Sequence, residues 1–218
     1  MPESRRRRRR PDVPDDVRRE LRSLGGPRAE RSLEQMARAA DAFGRGRDRD
    51  ALRDLRPLRD ALPDSPSVRE LLGLAQYRLG NYRAAAKELE AFRALGGSTD
   101  QHPVLMDCYR AQHRWKKVDE LWSELGAASP SAALVTEGRI VAAGALADRG
   151  QLDDALALLR RRADDVARPK PHHLRLWYAL GDLEERAGNH ARARTLFERV
   201  RRRDPDFADV TTRHRALG

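Results

Sequence analysis

One pattern recurs five times between residues 32 and 205, and it constrains the fold more than any other property of the chain. Its clearest copy reads Trp177-x-x-Leu180-Gly181, then Gly188-Asn189, then Ala193-x-x-x-Phe197, and closes on Asp204-Pro205. The second copy keeps Leu72-Gly73, Gly80-Asn81-Tyr82 and Ala85-x-x-x-Leu89. The third keeps Leu105, Tyr109, Trp115, Val118-x-x-x-Trp122 and Pro130, and the fourth Leu146, Gly150, Leu152 and Ala155-x-x-x-Leu159. The first is reduced to Ala39, Ala51-x-x-x-Leu55 and Pro63. The frames begin near residues 32, 66, 99, 136 and 174, at intervals of 33 to 38 residues. A unit that short cannot bury an apolar face alone, so the copies must stack on one another and share a core.

Each recurring position has a physical reason. Gly80, Gly150 and Gly188 fall where a first helix ends, and the left-handed backbone of a helix terminus suits glycine. Pro63, Pro130 and Pro205 stop second helices. Gly73 and Gly181 fall inside helices, where glycine costs about 1 kcal/mol relative to alanine, so a neighbouring helix is expected to approach closely there. Ala51, Ala85, Ala155 and Ala193 are the small residues at which a second helix meets its first. Leu55, Leu89, Trp122, Leu159 and Phe197 follow one turn later and are expected to fill the gap between units.

The order W-x-x-L-G, A-x-x-x-F, P at these offsets resembles the tetratricopeptide-repeat superfamily, whose period is about 34 residues. The one departure in the best copy is Glu184, where the family carries a mid-helix tyrosine. The wider resemblance is to Arg-rich tetratricopeptide proteins of GC-rich, actinobacterial-type bacteria. It implies an all-α fold, a right-handed superhelical α-solenoid of about five helix pairs plus a C-terminal capping helix. The pairs are expected at 32–65, 66–98, 99–135, 136–173 and 174–205, with the cap at 206–218. Phe207, Val210 and Leu217 are expected to point inward from that cap, and Arg213 and Arg215 outward.

Composition agrees. Charged residues make up 36% of the chain, well above the roughly 25% of an average soluble domain, as expected of an elongated array with much surface per unit of core. Strong helix formers dominate and β-branched residues are scarce. No apolar run approaches the roughly 18 residues of a membrane helix, and the N-terminus lacks the apolar segment of a secretory signal. A lone cysteine, Cys108, cannot make an internal disulfide, so a reducing, cytoplasmic location is the expectation. The net charge of +10 is concentrated at the ends, with +5 in residues 1–31, +4 in 191–218 and +1 between them.

Residues 1–31 read as a basic, largely disordered arm, with a short helix over 15–24 carrying Val17, Leu21 and Leu24 on one face. The arm opens on Arg5, Arg6, Arg7, Arg8, Arg9 and Arg10. Such a run can contact phosphates through counterion release, meet an anionic surface, dock in an acidic groove of its own chain, or remain a solvated tail. No aromatic residue accompanies it to stack on bases.

Nothing in the chain predicts catalysis, a cofactor or a metal. Cys108 has His102 and His113 nearby in sequence, but His113 is off its helical face, and a buried cysteine is commonly just a small apolar residue. His172-His173, His190 and His214 are not spaced as a ligand set. The phosphate and dinucleotide glycine motifs are absent.

The resemblance implies instead that first helices line a concave groove for a protein or peptide partner. By that alignment the groove displays Met36 and Phe43; Glu70, Tyr77 and Arg78; Asp107 and Arg110; and Tyr178, Asp182 and Arg186. Tyr77 and Tyr178 can equally serve as packing between helices. Some family members clamp a terminal carboxylate with Lys and Asn, but Glu70, Leu74, Pro103, Asp107, Ile140, Gly144, Tyr178 and Asp182 stand at the matching places. The expected function is a non-catalytic scaffold or adaptor for a partner segment. The alternative is a nucleic-acid-associated protein anchored by the arm and the basic C-terminal end. Oligomeric state stays open.

Overall fold

A computed structural model describes residues 13–96, 98–164 and 166–218. The Arg5–Arg10 run lies outside them. Among the described residues every regular element is a helix. Two compact units divide the chain, residues 1–108 and 109–218. The first contains α1 (Asp15–Gly25), α2 (Ala29–Gly44), α3 (Asp48–Ala61), α4 (Pro66–Arg78), α5 (Tyr82–Ala94) and most of α6 (His102–Arg110). The second contains α7 (Trp115–Ala128), α8 (Ala132–Asp148), α9 (Leu152–Arg160), α10 (Pro171–Arg186), α11 (His190–Arg201) and α12 (Val210–Ala216). Within each unit the helix pairs stack in chain order, α2–α3 on α4–α5 in one and α8–α9 on α10–α11 in the other. This is the arrangement of an α-solenoid.

The local reasons are those of the repeat. Ala193 and Phe197 are fully buried, as are Ala51 with Leu55 and Ala155 with Leu159. A Cβ on Gly181 would sit 2.7 Å from the Phe197 ring, and one on Gly73 would sit 2.7 Å from Leu89. The interior glycines therefore mark where the second helix of a pair presses on the first. Gly80, Gly150 and Gly188 take φ of +74°, +80° and +77° after first helices. Trp122 is the exception to the pattern. Its bulk leaves it half-buried against α8, with Arg139 5.8 Å from its ring, while Leu121 and Leu125 enter the core.

Two buried carboxylates tie pairs together. Glu184 accepts both Arg160 nitrogens at 2.8 Å and the Asn189 amide at 2.8 Å. Glu88 accepts Arg59 at 3.0 Å and Arg69 at 2.6 Å. The residue that replaces the family's tyrosine thus links the end of α9, the body of α10 and the turn into α11.

At the N-terminal end, α1 packs on α2 and buries Leu21 completely. Its Glu20 accepts the Ser65 hydroxyl, the Ser67 hydroxyl at 2.5 Å and the Ser67 backbone N–H at 3.3 Å, at the start of α4. That start needs acceptors because the first N–H groups of a helix lack partners. The repeat helix α2 begins at Ala29, so residue 31 falls inside it. At the other end the capping helix is shorter than expected, α12 spanning Val210–Ala216 with Val210 fully buried and Phe207 packed beside it.

Candidate functional site

First helices carry the residues expected to meet a partner, and each unit presents its own set. In the first unit, Met36 is a correction. It is buried in the core with Leu33 and Ala39, because the inward stripe of α2 runs through Leu33, Met36, Ala39 and Ala42. Phe43, one position past that stripe, is half-buried beneath Arg78. The Arg78 guanidinium lies 3.6 Å from the Phe43 ring and donates to the Phe43 carbonyl at 2.9 Å. Glu70 accepts the Gln101 amide at 2.8 Å. The Tyr77 hydroxyl donates to Asp107 at 2.7 Å. Burial first, and then the bond to Asp107, push the Tyr77 phenol well above its ordinary value, so it stays a neutral donor.

In the second unit, Arg110 donates to Asp148 at 2.7 Å. Its guanidinium lies where a side chain at position 144 would project, since a Cβ on Gly144 would sit 2.7 Å from Arg110 Cζ. Farther along, Arg175 of α10 donates to Glu137 of α8 at 2.5 Å.

At the C-terminal end Arg213 is the hub. It pairs with Asp182 at 2.9 Å and Glu185 at 2.6 Å, and it lies 4.6 Å from the Phe197 ring and 5.5 Å from the Tyr178 ring. Burial disfavours its charge, but the hydrogen bonds it donates to Tyr178, Glu185 and Asp182 outweigh that and raise its pKa. The Tyr178 hydroxyl donates to Asp209, and burial, then that bond, raise its pKa too. Arg213 therefore points inward, contrary to expectation, because three acceptors on α10 meet it there. Arg186 is exposed and has no partner among the described residues.

Eight of the ten expected groove residues are thus engaged in ties between one helix pair and the next, Met36 is core, and Arg186 has no partner among the described residues. Sequence reading missed Arg213, Asp148, Asp209 and the Arg175–Glu137 pair. They lie 28 to 38 residues from their partners, at positions that the repeat pattern does not fix.

The chemistry-bearing residues are arranged for structure. Cys108 is fully buried, and burial, then the Asp107 charge, push its thiol up to about 12. A thiol so protonated is a poor nucleophile. Among the described residues no group of His, Cys, Asp and Glu is placed to hold a metal ion. No helix among them is long and apolar enough to cross a membrane.

Comparison with known proteins places these features in one family. The tetratricopeptide repeat family model matches residues 28–98 and 140–206. A thermophilic tetratricopeptide protein of Thermus thermophilus has a similar structure, with a TM-score of 0.64 at 18% identity over 85% of this chain and 98% of that one. The protein YrrB, described as a TPR protein with an unusual peptide-binding site, has a TM-score of 0.53 at 16% identity, over 88% of this chain and 97% of its own. No curated protein matches the chain. A repeat frame that places Gly73 on Leu89 and Gly181 on Phe197, within segments that the family model matches, has one reading: the chain belongs to the tetratricopeptide-repeat family.

Proposed function

We propose that this protein is a non-catalytic interaction scaffold that takes a partner segment on the first-helix faces of its helix pairs. The observation that carries this reading is the fixed geometry of those faces. Tyr178, Asp182 and Arg213 are held against one another, as are Tyr77 with Asp107 and Phe43 with Arg78. Polar groups already ordered lose less entropy when a partner arrives. The likeness in fold to a protein described as having a peptide-binding site supports the same class of ligand.

The test uses the full chain as bait in nuclease-treated lysate, beside Tyr178→Ala and Asp182→Ala variants. A protein recovered by the wild type should fall about tenfold in recovery with the variants, the size of one lost interfacial contact of about 1.4 kcal/mol. Equal recovery by folded variants refutes the reading.

A second reading, association with nucleic acid, is favoured by the arginines of α11, of which Arg192, Arg194 and Arg199 lack a carboxylate partner among the described residues. It requires binding that falls steeply with salt and that weakens when residues 1–10 are removed.

A further inference from the structure

The solvent side of the last helix pair carries a depression that no described residue fills. Three hollows of about 590, 300 and 630 Å³ follow α11, and Thr195 lines all of them. The 590 Å³ hollow runs between the end of α9 and the α10–α11 pair. Its apolar surface is Ala163 and Ala191, with Leu180 and Leu196 buried directly beneath, and its rim holds Arg160, Arg192 and Arg199. Arg202 and Arg203 continue the rim beside the 300 Å³ hollow, and Arg194 stands at the 630 Å³ one.

These arginines differ in what they already do. Arg160 is neutralised by Glu184. Arg199 donates to the Ala163 carbonyl and lies 5.1 Å from the Trp177 ring. Arg202 shares Glu198 with Arg201. Arg192, Arg194 and Arg203 are exposed and have no carboxylate partner among the described residues. The carboxylates of the lining, Glu184 and Glu198, are both consumed by the ion pairs just named, so the uncompensated charge of the surface is positive. Beneath it, in the wall of the 300 Å³ hollow, the Trp177 indole N–H is buried without an acceptor among the described residues.

A solvated arginine fringe needs no apolar floor, and neither does a site that only follows phosphates. Single-stranded nucleic acid would need exposed aromatic faces for its bases, and Trp177 is 1% exposed. Arginine around an aliphatic trough matches a ligand that brings both carboxylates and apolar side chains. We propose that the depression along α11 is a docking surface for an acidic protein segment. Its aliphatic side chains seat on Ala163 and Ala191, above the buried Leu180 and Leu196, and its carboxylates pair with Arg192, Arg194 and Arg203. This surface is separate from the first-helix faces around Tyr178.

The test is fluorescence anisotropy on the full chain with three labelled 14-residue probes: a Glu peptide carrying Leu at every third and fourth position, an all-Glu peptide, and a single-stranded oligonucleotide. The Glu/Leu peptide should bind best. The Arg192→Glu/Arg203→Glu double variant, changed at exposed positions, should weaken it about tenfold or more, while Tyr178→Ala leaves it unchanged. Equal or tighter binding of the all-Glu peptide or the oligonucleotide overturns the proposal, because the floor then contributes nothing. Loss of peptide binding with Tyr178→Ala but not with the arginine variant also overturns it, and leaves the first-helix reading standing.

Discussion

Replacing Gly181 with alanine sets two known effects against each other. Alanine is favoured over glycine in a helix interior by about 1 kcal/mol, so on propensity alone Gly181→Ala stabilises α10. The new Cβ, however, would lie 2.7 Å from Phe197 Cε1 and 3.1 Å from two further ring carbons. The ring cannot swing away, because Phe197 is fully buried, with Tyr178 5.6 Å and Arg213 4.6 Å from it. Overpacking of this kind costs about 1–3 kcal/mol. The balance is a net loss of about 1 kcal/mol. In a Phe197→Leu background, itself less stable, the obstructing ring is gone and Gly181→Ala should be neutral or stabilising by up to about 1 kcal/mol. Urea unfolding of the four proteins, followed by far-UV circular dichroism, gives the cycle directly. A coupling of about 1–2 kcal/mol is expected for residues in contact. A single Gly181→Ala variant more stable than wild type, or a coupling near zero, refutes the claim that close helix approach explains this glycine.

Three further outcomes follow from the structure. The Cys108 thiol, buried and pushed up to about 12, should react slowly with Ellman's reagent at pH 8 in the folded protein and fully in denaturant; rapid labelling of the folded chain contradicts its burial. Hydrogen bonds from Arg202 first, and then Arg201, hold the Glu198 carboxyl down to about 2. A depressed folded value means its contribution is present above the ordinary carboxylate pKa of 4.5 and is lost as pH falls through about 2, so a side-chain NMR titration should show a midpoint near 2 that rises in Arg202→Ala. Tyr77→Phe removes one hydrogen bond to Asp107 and should cost about 1 kcal/mol in urea unfolding; no loss would mean that water replaces the bond.

What was legible in the sequence follows from how information is carried. Gly181 and Phe197, or Ala155 and Leu159, announce themselves because close packing selects residue size at fixed spacing along one helix pair. Glu184 was visible only as a departure from the family pattern. Its role needed Arg160 and Asn189 to be seen on either side of it. The first-helix faces were half legible. Helical phase separates Phe43 from the core, but a stripe that shifts by one position moves Met36 from surface to interior, and periodicity does not resolve one position.

Charge was the least legible property. In a chain with 44 basic and 34 acidic residues, nearly every arginine has some acid within reach of its sequence neighbourhood, and only geometry decides which are spent. Arg213, expected to face solvent, is committed to Asp182 and Glu185. Arg192, Arg194 and Arg203, which look no different in sequence, are left without a carboxylate among the described residues. Glu88 and Glu184 are buried partners, but the half-exposed ion pairs between successive helix pairs, such as Arg110 with Asp148 and Arg175 with Glu137, are each worth only about 0–1 kcal/mol, so their stabilising effect is small. Pairs of this kind neutralise Arg213 on the first-helix side, whereas Arg192, Arg194 and Arg203 along the solvent side of α11 have no carboxylate among the described residues to offset their charge, beside the apolar lining of Ala163 and Ala191.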